Sequence, residues 1–411
     1  MKNEILKRCR ICFSKKLNSY LDLGKQPFSN SFLNYKDIKK EKKFPLKVVA
    51  CENCGLSQLS IIPNTKFIFS KYDYLSSSSK ALSNHYKKLV EKLLKNYDVF
   101  PENTVLDIGC NDGILLNHYP KNFNNVIGIE PSDASKHIKQ KRIKLINNFF
   151  NYKTSKNYLN KYAKPKIITI TNVLAQIDNL NELGKGLNNI INKESLIIIE
   201  FPYLLDMINK GLFDLIYHEH LSYFALTPLK FLFNKFGIKI VNFERLNLGA
   251  SGPAIRLFLA KNKSIYPSSK KVMKQIKYEK MWGINKMKRY NFFRKKTEAK
   301  IKKIKEIIHL KYNQGFKIGC FTASSKGNTL LNCLNLSKQI IQFASENNIK
   351  KIGKYTPGTY IKIISDNDFC NKKIDYAILL SWNYKKFFLS KSRFIKKGGK
   401  FIVPLPEPHI K

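Results

Sequence analysis

The sequence pattern that most constrains the fold is a buried strand that runs into a glycine-bearing loop and is followed by a second strand ending in an acid. Residues 104–116 read TVLDIGCNDGILL, which predicts a short strand, a turn and the start of a helix. Residues 126–130 (VIGIE) form the second predicted strand. Strands joined in this way are typical of a parallel α/β sheet, although an ordinary strand–turn–helix without a ligand has the same pattern.

The side chains of this block favour a nucleoside ligand. Gly109 and Gly113 let the backbone turn sharply and approach a ligand closely. Asp107 and Asn111 can reach its polar groups, and Glu130 ends the next strand, where an acid commonly accepts both ribose hydroxyls of an adenosine. Because the pattern is DxGxxxG rather than GxGxxG, it lacks the glycines of a pyrophosphate site and favours S-adenosylmethionine over NAD.

Two more strands are predicted at residues 166–172 and 195–201, with helical segments between them. This alternation predicts a doubly wound parallel sheet. Ligands bind such sheets at the carboxyl ends of the strands. Asn172 and the loop at residues 200–203 (EFPY) are therefore further candidates for the ligand site.

Two CxxC pairs near the N-terminus predict a metal site. The four cysteines are Cys9, Cys12, Cys51 and Cys54. Each CxxC turn places two thiolates on one side of a tight knuckle, and two knuckles supply the four ligands of a closed, structural Zn²⁺ site. The alternative is a pair of unrelated buried or redox motifs. The long separation between the pairs predicts that the intervening residues form an excursion of their own.

Residues 213–224 (FDLIYHEHLSYF) concentrate titratable side chains. This is not HExxH, because His218 and His220 are two residues apart and cannot share one face of a helix as zinc ligands do. A histidine titrates near neutrality, and the adjacent Glu219 and Tyr217 can fix its tautomer and stabilise an oxyanion. The segment therefore predicts acid–base chemistry, with a polar interdomain loop as the alternative.

A second strand–loop–helix block lies at residues 317–331 (KIGCFTASSKGNTLL). Backbone N–H groups at its helix start would attract a phosphate, and Lys326 adds a point charge. Predicted strands at residues 376–381 and 400–403 complete an α/β unit, which alternatively serves packing alone. Between the two blocks, residues 270–310 predict a lysine-rich amphipathic helix.

The chain carries a formal charge of +45, from 74 basic and 29 acidic residues. Such a charge suggests a nucleic acid or an anionic membrane as partner. However, only eight of the basic residues are arginine, whereas nucleic-acid surfaces use arginine heavily for bidentate and stacking contacts. We therefore interpret the charge as a lysine-rich background and expect neither nucleic acid nor membrane as partner.

Length and hydrophobicity set wider limits. The 411 residues leave room for two or three domains, and a hydrophobic fraction of 43% excludes a wholly disordered chain. The apolar runs are too short to cross a bilayer, and residues 1–16 lack the apolar stretch of a secretory signal. These features predict a cytoplasmic protein.

Ordered segments along essentially the whole chain resemble the bacterial sugar C-methyltransferases, enzymes of deoxysugar biosynthesis. They are CRICF, LDLGKQPFSNSF, CENCGLSQL, KYDYLSSSS, LDIGCNDGILL, GIEPS, NVLAQIDNL, EFPYLLDMI, IYHEHLSYF, GASGPAIR, SSKGNTLLN, GKYTPGT and GGKFIVPLPEP. The resemblance implies a zinc-binding domain at residues 1–70, a Rossmann-like S-adenosylmethionine domain at 71–248 and a second Rossmann-like, nucleotide-sugar-binding domain with a helical linker at 249–411. It also implies methylation of a ring carbon next to the ketone of a dTDP-4-keto-6-deoxy sugar.

The resemblance further implies roles for individual residues. His220 would be the base that removes the proton next to the ketone, with Tyr217 and Glu219 orienting it and contacting the sugar. Tyr74 would reach over the site, and Gln176 stands where the family usually has histidine. The nucleotide diphosphate would contact residues of the C-terminal domain: Lys326, Asn328, Lys354 and Tyr355. No Mg²⁺ is expected, since the phosphates do not react.

Two features leave other functions open. Gln176 cannot become cationic, and residues 249–256 (GASGPAIR) differ from the HGGSLR form of the better-known sugar enzymes. A non-catalytic nucleotide-sugar-binding protein is therefore one alternative. An RNA methyltransferase is another, supported by the zinc knuckles, the methyl-donor fold and the charge. The sequence predicts neither the sugar, the carbon methylated, nor the oligomeric state.

Overall fold

A computed structural model of the protein describes residues 4–70, 75–249, 252–336 and 339–411. The N-terminal part is a small antiparallel sheet in the order β11-β4-β3-β2, beside a short ladder of β1 and β5. Its elements are β1 (Glu4–Ile5), β2 (Leu17–Gln26), β3 (Phe44–Cys51), β4 (Ser57–Leu59), β5 (Ile61–Ile62), α1 (Thr65–Ser70) and, from later in the chain, β11 (Ser222–Tyr223). The excursion predicted between the cysteine pairs is the hairpin of β2 and β3.

The central part is a mixed sheet in the order β12-β13-β10-β9-β6-β7-β8. Its elements are α2 (Lys80–Asn96), β6 (Val105–Ile108), β7 (Val126–Ile129), β8 (Ile143–Ile146), α3 (Tyr152–Leu159), β9 (Ile167–Thr171), α4 (Leu180–Ile190), β10 (Leu196–Pro202), α5 (Leu204–Lys210), α6 (Leu226–Asn234), β12 (Ile238–Gly249) and β13 (Gly252–Lys261). The strands from β8 to β10 are parallel, and β13 and β12 are antiparallel.

The central sheet is covered on both faces, as a doubly wound fold requires. Alternate residues of its strands point to opposite sides, so that Leu106 packs with α4 whereas Val105 packs with α2. Ile197 and Ile198 divide in the same way on β10. The chain leaves β6 towards β7 on one side and returns to β9 on the other, which makes the β6–β9 edge the switch point where ligands bind.

Some sequence expectations about this sheet need correction. The strands predicted at residues 166–172 and 195–201 are confirmed as β9 and β10. The helix predicted after the glycine loop is wrong, because residues Leu116–His118 form only a 3₁₀ turn. The boundary predicted after residue 248 falls inside the hairpin of β12 and β13, and the sheet continues to Lys261.

The C-terminal part begins with two helices and ends in a second Rossmann-like sheet, in the order β16-β15-β14-β17-β18-β19. Its elements are α7 (Lys270–Trp282), α8 (Met287–Asn313), β14 (Ile318–Phe321), α9 (Ser325–Leu334), β15 (Ile341–Glu346), β16 (Lys362–Ser365), α10 (Asp366–Asn371), β17 (Tyr376–Leu379), α11 (Lys385–Lys391), α12 (Arg393–Lys396), β18 (Lys400–Val403) and β19 (His409–Ile410). Its strands are parallel except β19, and its switch point lies between β14 and β17.

Helix α8 joins the three parts. Ile304 and Ile308 on its inner face are fully buried, as the amphipathic pattern predicts. Tyr290 lies 4.7 Å from Tyr20 of β2, measured between ring centroids, so the helix also packs against the N-terminal sheet. Among the described residues, no helix is both long and apolar enough to cross a bilayer.

Candidate functional site

The four cysteines predicted as zinc ligands meet in the structure. Their sulfur atoms all lie within 4.8 Å of one another. The Sγ–Sγ distances are 3.5 Å for Cys9–Cys54 and for Cys12–Cys51. A tetrahedron with Zn–S bonds of 2.3 Å has edges of about 3.8 Å, so the cluster fits a structural Zn²⁺ ion. A closed set of four thiolates leaves no position for a substrate.

Arg10, within the first knuckle, connects the zinc cluster to the segment at residues 213–224, called the histidine segment below. Its buried guanidinium donates to the carbonyls of Ile177 (2.9 Å), Asp178 (3.0 Å) and Leu221 (2.7 Å), and to the hydroxyl of Ser222. Ser222 begins β11, which pairs with β4 of the N-terminal sheet. The zinc-binding part therefore holds the residues that directly follow His220.

A cavity of about 730 Å³ lies between the carboxyl edges of the two Rossmann-like sheets. Its wall includes residues after β6, β7 and β9 on one side and residues after β14 and β17 on the other. The cavity wall thus contains both switch points, where α/β sheets bind their ligands. The following predicted site residues lie in this wall: Asp107, Gly109, Asn111, Glu130, Asn172, Gln176, Tyr217, His220 and Lys326.

The glycine loop after β6 has the backbone that its sequence predicts. Gly109 has a φ of +76°, and a Cβ there would lie 2.3 Å from Cγ2 of Val173. Any side chain at this position would therefore clash as well as strain the backbone. Asp107 is the last residue but one of β6. Burial raises the pKa of its carboxyl to about 7, the Thr169 hydroxyl opposes that shift, and the charge of Glu130 adds to it.

Glu130, at the end of β7, is held by backbone donors. The N–H groups of Asn111 (2.8 Å) and Ser132 (2.9 Å) each donate to one of its carboxylate oxygens. These bonds fix the carboxylate at the cavity wall. A carboxylate has about four acceptor positions, so it can still accept the two hydroxyls of a ribose.

The histidine segment forms a hydrogen-bonded pair at the cavity. Nδ1 of His220 lies 3.1 Å from the carbonyl oxygen of Leu215, so Nδ1 carries the proton and Nε2 keeps its lone pair. The Tyr217 hydroxyl, 2.7 Å from Nε2, is then the donor. Burial lowers the pKa of His220 to about 4. The imidazole is therefore neutral at pH 7 and can act as a base.

Glu219 does not contact His220 in the way the resemblance implies. Its Oε1 accepts hydrogen bonds from the backbone N–H and side-chain amide of Asn30, at 3.0 and 3.3 Å. Burial raises the pKa of this carboxyl. Asn30 also accepts a hydrogen bond from Ser325, which lies in the cavity wall. Glu219 thus positions the N-terminal segment rather than the imidazole.

Lys326 is the one predicted phosphate ligand that the structure brings to the cavity. Its ammonium lies 4.2 Å above the centre of the Trp382 ring and donates to Asn383. Trp382 Nε1 donates to the buried carboxylate of Asp214 at 2.6 Å. Burial lowers the pKa of Lys326 to about 8, although the charge of Asp214 opposes this shift. Ser324 caps α9 beside it.

Several predicted site residues lie elsewhere. Asn328 donates to the carbonyl of Ser29 at 2.7 Å, and the backbone of Tyr355 pairs with Leu33. These contacts join the C-terminal part to the N-terminal part outside the cavity wall. The predicted residues outside that wall are Gly113, Glu219, Asn328, Lys354 and Tyr355. Tyr74 lies outside the described residues.

Sequence reasoning missed Tyr86, Asp214 and Trp382. Asp214 lies within the histidine segment, and Trp382 is one of two tryptophans in the chain, so both had a weak signal. Tyr86 lies on the inner face of α2 without a motif around it. Its place in the cavity wall, next to Thr171 and Asn172 at the end of β9, follows only from the packing of α2 against the sheet.

Three family models match the chain in succession. They are a zinc binding domain at residues 9–69, a methyltransferase domain at 79–242 and a C-methyltransferase C-terminal domain at 250–406. The chain is therefore an S-adenosylmethionine-dependent C-methyltransferase with a structural zinc site. The C-methyltransferase NovU of Streptomyces niveus is 27% identical over 405 residues, which is 98% of this chain and 96% of NovU.

Two solved structures with similarity to this C-methyltransferase each align with less than half of its chain. An S-adenosylmethionine-dependent methyltransferase from Anabaena variabilis is 17% identical, with 43% of this chain and 84% of that chain covered and a TM-score of 0.35. Magnesium protoporphyrin IX methyltransferase from Synechocystis PCC 6803 is 13% identical, with 44% and 83% covered and a TM-score of 0.33.

Proposed function

We propose that this C-methyltransferase transfers a methyl group to a ring carbon next to the ketone of a nucleotide-activated sugar, such as a dTDP-4-keto-6-deoxy sugar. One observation carries the proposal: a single cavity joins the switch points of both Rossmann-like sheets, with the Tyr217–His220 pair in its wall. One switch point suits the methyl donor and the other suits the nucleotide. A neutral imidazole between them suits removal of an acidic C–H proton.

The donor would be held at the ends of β6, β7 and β9. Glu130 would accept the ribose hydroxyls, while Gly109 lets the loop after β6 pack tightly against Val173. Asp107, Asn111 and Asn172 complete this half of the wall. S-adenosylmethionine supplies an electrophilic methyl group on a sulfonium. The tightness of the loop at Gly109 and the carboxylate at Glu130 both fit this ligand.

His220 would act as the base. A carbon next to a ketone is acidic because its conjugate base is an enolate. Nε2 of His220 would take the proton as the C–H bond breaks. The electron pair of that bond would then form the new C–C bond to the methyl group, while the methyl–sulfur bond breaks and S-adenosylhomocysteine leaves. The Tyr217 hydroxyl, released from Nε2, can donate to the ketone oxygen as negative charge develops there. Solvent removes the proton from His220 afterwards.

Gln176 would contact the sugar without contributing charge. Its side chain lies in the cavity wall, and a neutral amide can donate to a sugar oxygen. It cannot supply the positive charge that a histidinium would. In our proposal the Tyr217 hydroxyl therefore carries the stabilisation of the enolate in this protein.

The nucleotide diphosphate would lie at the N-terminus of α9. Ser324, Ser325 and Lys326 line the cavity at this point. The first N–H groups of a helix and an ammonium together attract phosphate. We further propose a cytoplasmic location, since all eight cysteines lie at described positions and none of them forms a disulfide, which is typical of a reducing compartment.

The proposed base gives a testable pH dependence. Neutral imidazole is the active form, and it is lost as the pH falls through the pKa of His220, about 4. Turnover with saturating donor is therefore expected to stay level down to pH about 5 and to fall below it. Saturating donor is needed because Asp107, with a pKa raised to about 7, titrates in the free enzyme. An acid limb at 6.5, the ordinary imidazole value, would contradict this assignment.

Deuterium exchange tests the proton-removal step by itself. A nucleotide-activated 4-keto-6-deoxy sugar is incubated in D₂O with the enzyme and S-adenosylhomocysteine, which has no methyl group to transfer. We expect deuterium at one ring carbon next to the ketone, faster than without enzyme, and NMR identifies that carbon. Exchange no faster than the enzyme-free rate, for every such sugar tested, would contradict the proposal.

A further inference from the structure

Tyr86 offers a hydrogen-bond donor to the cavity that no other described residue uses. It lies on α2, is 4% exposed and forms part of the cavity wall. Its hydroxyl oxygen accepts hydrogen bonds from Thr171 Oγ1 at 3.1 Å and from Asn172 Nδ2 at 3.2 Å. Both partners lie at the end of β9, in the half of the cavity that is proposed to hold the methyl donor.

The hydroxyl has one bonding direction left. A phenolic O–H has two lone pairs and one proton. Thr171 and Asn172 occupy the lone pairs, and no described residue accepts a hydrogen bond from the proton. Burial and the nearby charge of Glu200 raise the pKa of Tyr86 above its usual value, so the proton is retained. A buried donor without an acceptor is costly, which indicates a ligand atom as its partner.

We propose that Tyr86 donates this hydrogen bond to the carboxylate of the methionine part of S-adenosylmethionine. Glu130 at the end of β7 marks the ribose, and β6 separates β7 from β9 in the sheet. Two strand spacings place β9 about 10 Å from β7. From a ribose at β7, the methionine part of the ligand would extend across β6 towards the end of β9, where the Tyr86 hydroxyl lies. The carboxylate is the group of that part that can accept a hydrogen bond from this hydroxyl.

The position of the hydroxyl is fixed before any ligand binds. His85, the neighbour of Tyr86, lies 2.8 Å from Oε1 of Glu200 through its Nε2. Arg256 donates to the other oxygen of Glu200 at 3.0 Å. Lys92, further along α2, pairs with Glu244 of β12. These contacts hold α2 against the sheet, so the Tyr86 hydroxyl is preorganised. Its removal should therefore lower the affinity for S-adenosylmethionine directly.

The test compares two ligands on two proteins. Dissociation constants for S-adenosylmethionine and for its decarboxylated analogue are measured by calorimetry on the wild type and on Tyr86→Phe. We expect Tyr86→Phe to weaken the binding of S-adenosylmethionine by about tenfold to a hundredfold and to leave the binding of the decarboxylated analogue unchanged. The inference rests on the methyl-donor activity alone, so it stands or fails separately from the proposed sugar substrate.

Tyr158→Phe is the matched control, because Tyr158 is a buried tyrosine whose hydroxyl donates to the carbonyl of Ala163 outside the cavity wall. It should leave both affinities unchanged. Unchanged affinity of Tyr86→Phe for S-adenosylmethionine would overturn the inference, as would an equal loss for both ligands. If Tyr86→Phe failed to fold, the wild type would decide, since equal affinity for the two ligands would also overturn it.

Discussion

Replacement of His220 by alanine is expected to lower the rate of methyl transfer by about 10²–10⁴-fold, the usual contribution of a general base. The expectation follows from the tautomer: Nδ1 is committed to Leu215, and Nε2 faces Tyr217 in the cavity wall. Donor binding should be retained, because the proposed donor contacts lie at the ends of β6, β7 and β9. Single-turnover kinetics with excess donor, with calorimetry of donor binding, measure both effects.

His218 provides the control for this experiment. It is also buried, but its ring packs edge-on against the stacked rings of Phe28 and Phe44 and bonds to the carbonyl of Pro45. His218→Ala should therefore affect stability more than the rate of the chemical step. Retained turnover by His220→Ala, with donor binding intact, would remove His220 from the role of base.

Replacement of Cys51 by serine is expected to release the zinc ion and to unfold the N-terminal sheet. Structural zinc contributes on the order of 10 kcal/mol to the folding of zinc-finger peptides. Activity should be lost as well, because Arg10 in the first knuckle holds Leu221 next to His220. Zinc content by elemental analysis, thermal unfolding and turnover together measure the effect.

Cys370→Ser is the matched control, since Cys370 is a partly buried thiol on α10, outside the zinc cluster. It should keep the zinc ion and nearly the wild-type unfolding temperature. A Cys51→Ser protein that retains a full equivalent of zinc and unfolds at the wild-type temperature would contradict the assignment of Cys51 as a ligand.

Short sequence patterns predicted the strands of the central sheet well, because a continuous apolar run is itself the signal of a buried parallel strand. Strands β9 and β10 are continuous apolar runs, and the sequence placed them within one residue or two of their bounds. The helix expected after Gly113 does not form, because Pro120 limits it to a short segment. A proline, and the residue before it, disfavour helix. That signal was present in the sequence.

Contacts between distant segments were not predictable in this way. The motif at residues 353–359 has the cation and hydroxyls of a phosphate loop, yet Tyr355 pairs with Leu33 and Thr356 bonds within its own turn. Glu219 likewise pairs with Asn30. Both contacts form because the N-terminal part packs against the two later parts of the chain. The partner of each group is set by domain packing, which one sequence does not encode locally.

The most direct test of the account is the position of the transferred methyl group. S-adenosylmethionine with a ¹³C-labelled methyl is incubated with the enzyme and a set of nucleotide-activated 4-keto-6-deoxy sugars, and in parallel with RNA. We expect a nucleotide sugar one CH₂ heavier, with NMR coupling between the labelled methyl and a ring carbon. Label on a sugar oxygen, label in RNA, or no transfer to any sugar by a donor-binding enzyme would contradict it.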